Sequence, residues 1–203
     1  YLKVFMGWRR EMENILSWII WFPIIGMVAI AFIPRDKEDV IKITAAVATG
    51  LQFLLTLVLW QNYDAGNGSM QFMERAEWIP SFNITYILGV DGLSLPMAIL
   101  TALLCFIGVF VSWNINKAVK GYFALFLLLD TGIMGVFFSM DFFLFYIFWE
   151  VMLLPMYFLI GIWGGPQREY AAIKFFLYTL FGSVLMLIGI LGLYFTCGQT
   201  FDI

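Results

Sequence analysis

Between Asp141 and Trp163 the chain reads DFFLFYIFWEVMLLPMYFLIGIW, 23 residues of aliphatic and aromatic side chains interrupted by one carboxylate, Glu150. A run that long and that apolar reads as a helix crossing a lipid bilayer. With a helical rise of about 1.5 Å per residue, Glu150 sits roughly 13 Å from Asp141. In a hydrocarbon layer about 30 Å thick that is close to the midplane. A charged side chain at that depth costs about 2.5–3.5 kcal/mol on insertion scales. The carboxyl is therefore protonated, or it has a cationic or aqueous partner. Pro155 has no N–H to offer the carbonyl of Val151, which leaves an acceptor free beside the acid. The plain reading is a neutral Glu hydrogen-bonded between helices for packing. The functional reading, an acid on an ion or proton path, is the expectation carried forward.

The rest of the composition agrees with a polytopic, all-α membrane protein. Of 203 residues 63% are hydrophobic and 12% charged, about half the charge of a soluble domain. There is no His, which excludes haem ligation through imidazole, an imidazole metal site and a His proton switch. Cys105 and Cys197 stand alone in apolar runs, so neither a disulfide nor a metal cluster is expected. No Gly-rich phosphate loop follows a strand. The chain thus carries no redox or nucleotide chemistry of its own, no resident cofactor or metal is expected, and ions or protons are its natural cargo. The partners expected are lipid and other membrane subunits, with no nucleic acid.

In chain order, residues 1–14 read as an N-terminal extension and 15–203 as the membrane domain. The six predicted helices are 15–33, 40–60, 93–113, 121–140, 141–163 and 170–196. The extension carries Lys3, Arg9 and Arg10, but the apolar run after it is too long for a signal peptide and reads as an anchor that stays. Pro34 closes the first span and Arg35–Asp39 make a charged turn. Lys42 lies near enough to a span end to snorkel. Between the second and third spans, Asp64–Ser69 is a turn cluster. Trp78-Ile79-Pro80 and Phe82–Leu88 look like short strands or an interfacial hairpin with a Trp/Tyr belt. Asn83-Ile84-Thr85 matches a glycosylation sequon by chance. Asp91 is placed to cap the third helix. Gly182, Gly189 and Gly192 are expected to ease helix packing in the sixth.

If the spans alternate, the odd-numbered connections hold Arg35, Lys37, Lys42, Lys117, Lys120, Arg168 and Lys174, against Arg75 and the three basic residues of the extension. The positive-inside rule then makes the odd connections cytoplasmic and puts the N-terminus outside, in a bacterial inner membrane. The fourth and fifth spans are joined by almost nothing, so they are antiparallel neighbours. Asp130 and Glu150 fall at about the same depth, within ~2 Å by helix rise. Asp130 is expected to be protonated or water-linked, not an essential carrier. Lys174 lies about one turn into the sixth span, roughly 13 Å in level from Glu150. Either it snorkels to the headgroups or it shares a water-linked path with the acid.

FWEVMLLPMYFLIGIWGG around Glu150, YAAIKFFLYTLFGS around Lys174, and DGLSL at Asp91–Leu95 closely resemble the antiporter-like M subunits of proton-pumping NADH:quinone oxidoreductase, respiratory complex I. The resemblance runs from about Met12 to Thr196. It implies part of a fourteen-helix fold with two inverted repeats, each contributing a half-channel. It implies a role for Glu150 in the proton path, paired with a lysine on a seventh helix, and makes Lys174 a candidate member. Asp130 falls where many relatives have no acid. The subunit would belong to a translocase whose NADH, FMN, iron–sulfur clusters and quinone are held by partner subunits. Its neighbours would be other antiporter-like subunits. The same helix-five acid is shared by multisubunit cation/proton antiporters and membrane-bound hydrogenases, which are the alternative. Family members are more than twice as long, and the chain is expected to be a fragment of a full subunit.

Overall fold

The computed structural model describes residues 14–80, 83–196 and 201. Residues 1–13 of the predicted extension and Cys197 lie outside these. Six helices among the described residues are long and apolar enough to cross a membrane: α1 Ile15–Phe32, α2 Glu38–Asn62, α3 Ser94–Val111, α4 Val119–Phe138, α5 Phe142–Trp163 and α6 Arg168–Thr196. Helices α2 and α6 start two residues before the predicted spans, because Glu38, Asp39 and Glu169 favour a first turn where amide dipoles point outward. Pro34 follows α1 and forces the turn into α2. The two internal prolines, Pro23 in α1 and Pro155 in α5, leave both helices continuous.

Helix α4 is the hub, packed against α1, α2, α3 and α5, whereas α6 packs mainly on α5. Buried apolar side chains form two layers at the two ends of the bundle. One holds Leu16, Ile19, Leu59, Ala98, Met134, Phe138 and Phe148. The other holds Ile30, Ile41, Ala48, Val109, Phe123 and Leu127. Close approach of α4 and α5 depends on two glycines. A Cβ at Gly132 would stand 2.8 Å from Met152 Cβ, and one at Gly135 would drive into the Phe148 ring. A Cβ at Gly182, Gly189 or Gly192 of α6 meets nothing among the described residues, so none of the three eases the contact with α5.

Between α2 and α3 lies an antiparallel hairpin, β1 Gln71–Ile79 and β2 Ile84–Val90, with Gln71 opposite Val90 and Ile79 opposite Ile84. β1 begins seven residues before the predicted strand. Two register shifts break the period-2 alternation that would reveal it, and its charged residues read as loop. The hairpin grips the start of α1, where Asn14 offers no side-chain cap. In its place Glu74 of β1 accepts from the amides of Leu16 (2.7 Å) and Ser17 (3.1 Å) and from the Ser17 hydroxyl (2.5 Å). Tyr86 of β2 meets the Ser17 hydroxyl at 3.0 Å and accepts from Trp21 Nε1 at 3.2 Å. Burial pushes the Glu74 carboxyl above its ordinary value, and the donors on Ser17 and Leu16 pull it partway back. At α3 the predicted cap is present. Asp91 Oδ1 accepts from the Ser94 amide at 2.6 Å, and the Ser94 hydroxyl accepts from the Asp91 amide at 3.0 Å. The Ser94 amide is the main reason this carboxyl lies below its ordinary value.

Candidate functional site

The start of α5, and hence the depth of Glu150, is set by the hairpin. Asp141 is fully buried in the turn after α4. Its Oδ1 accepts from the amides of Phe143 (2.9 Å) and Leu144 (3.0 Å), and its Oδ2 accepts from the Thr85 amide of β2 at 3.4 Å. The Met140 amide donates to Ile87 O at 2.9 Å. The turn therefore docks on β2 like a short extra strand, and α5 leaves it with its first amides capped.

Nine residues on, Glu150 is half-buried, and its Oε1 is shielded from solvent without a hydrogen-bond donor among the described residues. The adjoining Trp149 Nε1 is likewise shielded and has no acceptor among them. Tyr146, one turn earlier on α5, interacts both with Glu150 and with Ser183 on α6. Ser183 is buried and otherwise donates to Leu180 O at 3.0 Å. The grouping is a carboxyl with one bare oxygen, next to a phenol and a hydroxyl that lead toward α6. Such a group can take a proton at Oε1 or release one, and the two hydroxyls can pass hydrogen bonds along.

The other two predicted residues do not join it. Asp130 on α4 is fully buried and faces the opposite way, toward α1, α2 and α3. Its Oδ1 accepts from Gln52 Nε2 of α2 at 3.3 Å, and the Cys105 thiol of α3 lies beside it. The sequence expectation set the two carboxyls at one depth; that they point to different neighbours was not legible in it. Lys174 is exposed on α6, its ammonium 5.7 Å from the Tyr170 ring centre and 6.0 Å from that of Tyr178. These are contacts one turn to either side on its own helix. Lys42, near the start of α2, is buried. Sequence reasoning also missed Gln52, a lone carboxamide in an apolar span. One signal for it exists: Pro23 frees the carbonyl of Ile19, and Gln52 Nε2 donates to that oxygen at 3.2 Å. Among the described residues no group of three His, Cys, Asp or Glu is placed to hold a metal ion.

A family model described as NADH:quinone oxidoreductase/Mrp antiporter, transmembrane, matches residues 139–203. NADH-quinone oxidoreductase subunit M of Rhodobacter capsulatus is 40% identical over 193 residues, covering 93% of this chain and 37% of that protein. NADH-ubiquinone oxidoreductase chain 4 of Arabidopsis thaliana is 40% identical over 187 residues, covering 91% of this chain and 38% of its own length. The chain thus spans less than two fifths of these relatives. A chain of respiratory complex I from Thermus thermophilus with bound NADH superposes with TM-score 0.80 at 27% identity, over 92% of this chain and 38% of that one. A chain of the Mrp complex from Dietzia sp. superposes with TM-score 0.74 at 18% identity, over 94% of this chain and 20% of that one. The last is a likeness of fold.

Proposed function

Because this chain resembles the antiporter-like M subunits of NADH:quinone oxidoreductase over nearly its whole described length, we propose that it forms six helices of a proton-translocating subunit of respiratory complex I. In this reading Glu150 takes up and releases a proton as quinone is reduced in partner subunits. The observation that carries it is Glu150 at mid-span, its Oε1 shielded from solvent and without a donor among the described residues. Tyr146 and Ser183 orient the carboxyl and extend its hydrogen bonding toward α6. NADH, FMN, the iron–sulfur clusters and quinone belong to partner subunits, and the neighbours are other antiporter-like membrane subunits. Lys174 stays a second candidate, since a cation about one turn inside α6 could set the potential felt along the path. The odd-numbered connections face the cytoplasm and the N-terminus the outer side of a bacterial inner membrane, on the strength of the Lys/Arg bias.

The likeness of fold to the Mrp complex supports a second reading, a large subunit of a multisubunit cation/proton antiporter. Neighbouring genes separate the two: flavin and iron–sulfur subunits accompany the first, membrane subunits alone the second.

The test is Glu150→Gln in the full-length subunit within its complex. Gln keeps the size and the hydrogen bonding but cannot release a proton. The variant should assemble and lose both proton pumping and the coupled quinone reduction. Glu150→Asp, one methylene shorter and still titrating, should keep part of each. The measurements are quinone reduction and pH-gradient formation in membrane vesicles, with assembly checked alongside. Normal pumping by an assembled Gln variant would sink the proton-path reading.

A further inference from the structure

The two apolar layers of the bundle are separated by a polar slot at the level of Gln52, Cys105 and Asp130. Among the described residues, Gln52 and the Cys105 thiol are the hydrogen-bond partners of Asp130. Gln52 and Asp130 are both 0% exposed. Gln52 has two amide hydrogens, and both are used, one on Ile19 O at 3.2 Å and one on Asp130 Oδ1 at 3.3 Å. The Ile19 oxygen is available because Pro23, four residues on, has no N–H to give it. That acceptor also settles the orientation of the carboxamide, since a flipped Gln52 would set its own oxygen against a backbone oxygen. Among the described residues two oxygens are left over, Gln52 Oε1 and Asp130 Oδ2, both buried and both without a donor. A buried polar atom without a partner costs about 1–3 kcal/mol. An ionised carboxylate without a cation costs more, and neither Gln52 nor the Cys105 thiol beside the carboxyl is a cation.

We infer that the slot is a resident-proton site, in which Asp130 stays un-ionised and its one proton, on Oδ2, is donated to Gln52 Oε1. A single atom then resolves both orphaned oxygens. It converts Oδ2 from acceptor to donor and gives Oε1 the donor it lacks. Acid and amide are joined by two parallel hydrogen bonds, and α4 is tied to α2 and, through Ile19, to α1. Leu127, Phe123 and Ile30 belong to the apolar layer on one side of the slot, and Met134, Phe138 and Ile19 to the layer on the other. The proton is therefore held in place and is not cargo. This separates Asp130 from Glu150, which opens toward α6, and it does not depend on what the complex transports.

The experiment is infrared spectroscopy on the purified complex, wild type against Asp130→Asn. The wild type should show one carbonyl-stretch band of a buried un-ionised carboxylic acid, missing from the variant and constant in intensity from mildly acid to mildly alkaline pH. Asn offers an amide N–H in place of the acid O–H, so the variant should assemble and pump within about twofold of wild type. Asp130→Leu, which strands Gln52, should lower the yield of assembled complex. Adding Gln52→Leu should restore part of that yield, because no half-paired group remains. The inference is overturned if no Asp130-dependent acid band exists, if the band titrates within that pH range, or if the double variant assembles worse than Asp130→Leu. It is equally overturned if Asp130→Asn abolishes pumping as fully as Glu150→Gln, for the proton would then be on the path.

Discussion

The carboxylates of this chain divide by what faces them. Glu74 and Asp141 both face the start of a helix, one from a neighbouring strand and one from the N-cap position, and both occupy places where amide donors converge. Asp130 faces a carboxamide, and Glu150 faces the Tyr146 phenol. The first two therefore serve structure. Glu74→Ala tests this division. It strips three donors on Leu16 and Ser17 of their acceptor, so the hairpin should loosen from α1 at a cost of about 1–3 kcal/mol. A lower thermal midpoint of the assembled complex and faster proteolysis within Gln71–Ile79 would show it, with quinone reduction by the surviving complex near normal. Loss of turnover without loss of stability would place Glu74 in the machinery instead. The same comparison at Asp91, which lies below its ordinary value, has a defined pH sign. Its cap on α3 is fully present above the usual carboxylate range and fades as pH falls through the lowered value.

At the scale of elements, glycine position decides which helices come close. Gly132 and Gly135 lie one turn apart on the α4 face that meets Met152 and Phe148 of α5. Gly135→Ala would force a methyl into the Phe148 ring, which is buried and cannot swing aside freely. Overpacking of this kind costs about 1–3 kcal/mol. Because Glu150 lies half a turn from Phe148, the variant should also disturb pumping. A thermal midpoint unchanged from wild type would show that α4 and α5 are less tightly apposed than the structure has them. The lysines of the third connection act on elements too. Lys120 Nζ donates to Ala31 O at 2.8 Å and Ile33 O at 2.9 Å, at the end of α1, and Lys117 Nζ donates to Ile162 O at 3.2 Å, at the end of α5. Charges that mark topology thus also satisfy the open carbonyls of helix C-termini.

At the scale of the whole molecule, the start of α1, the hairpin and the turn at Ser139–Asp141 gather on one face, held by Glu74, Asp141 and the Leu88–Ser139 bridge. The connections carrying most of the Lys and Arg lie at the other ends of the same helices. A cysteine placed at Gln167 should therefore resist an impermeant reagent added to intact cells and react once the membrane is opened. Labelling from outside would reverse the orientation proposed from the charge bias. A cysteine in the Asp64–Ser69 turn should behave in the opposite way.

The six spans and their order were legible in the residues, because apolar run length is a property of the local chain. So was the capping role of Asp91, whose donors lie within three residues. The early start of β1 was hidden by bulges that spoil its alternation. A periodic pattern says that a face exists, not what stands opposite. Only the folded bundle could turn Asp130 away from Glu150 and onto Gln52, bring Glu74 58 residues across the chain to the start of α1, and set Asp141 against β2. Each of these depends on which way a helix is rotated about its own axis. That rotation is decided by the packing of large side chains against small ones between elements, through contacts that no single segment contains.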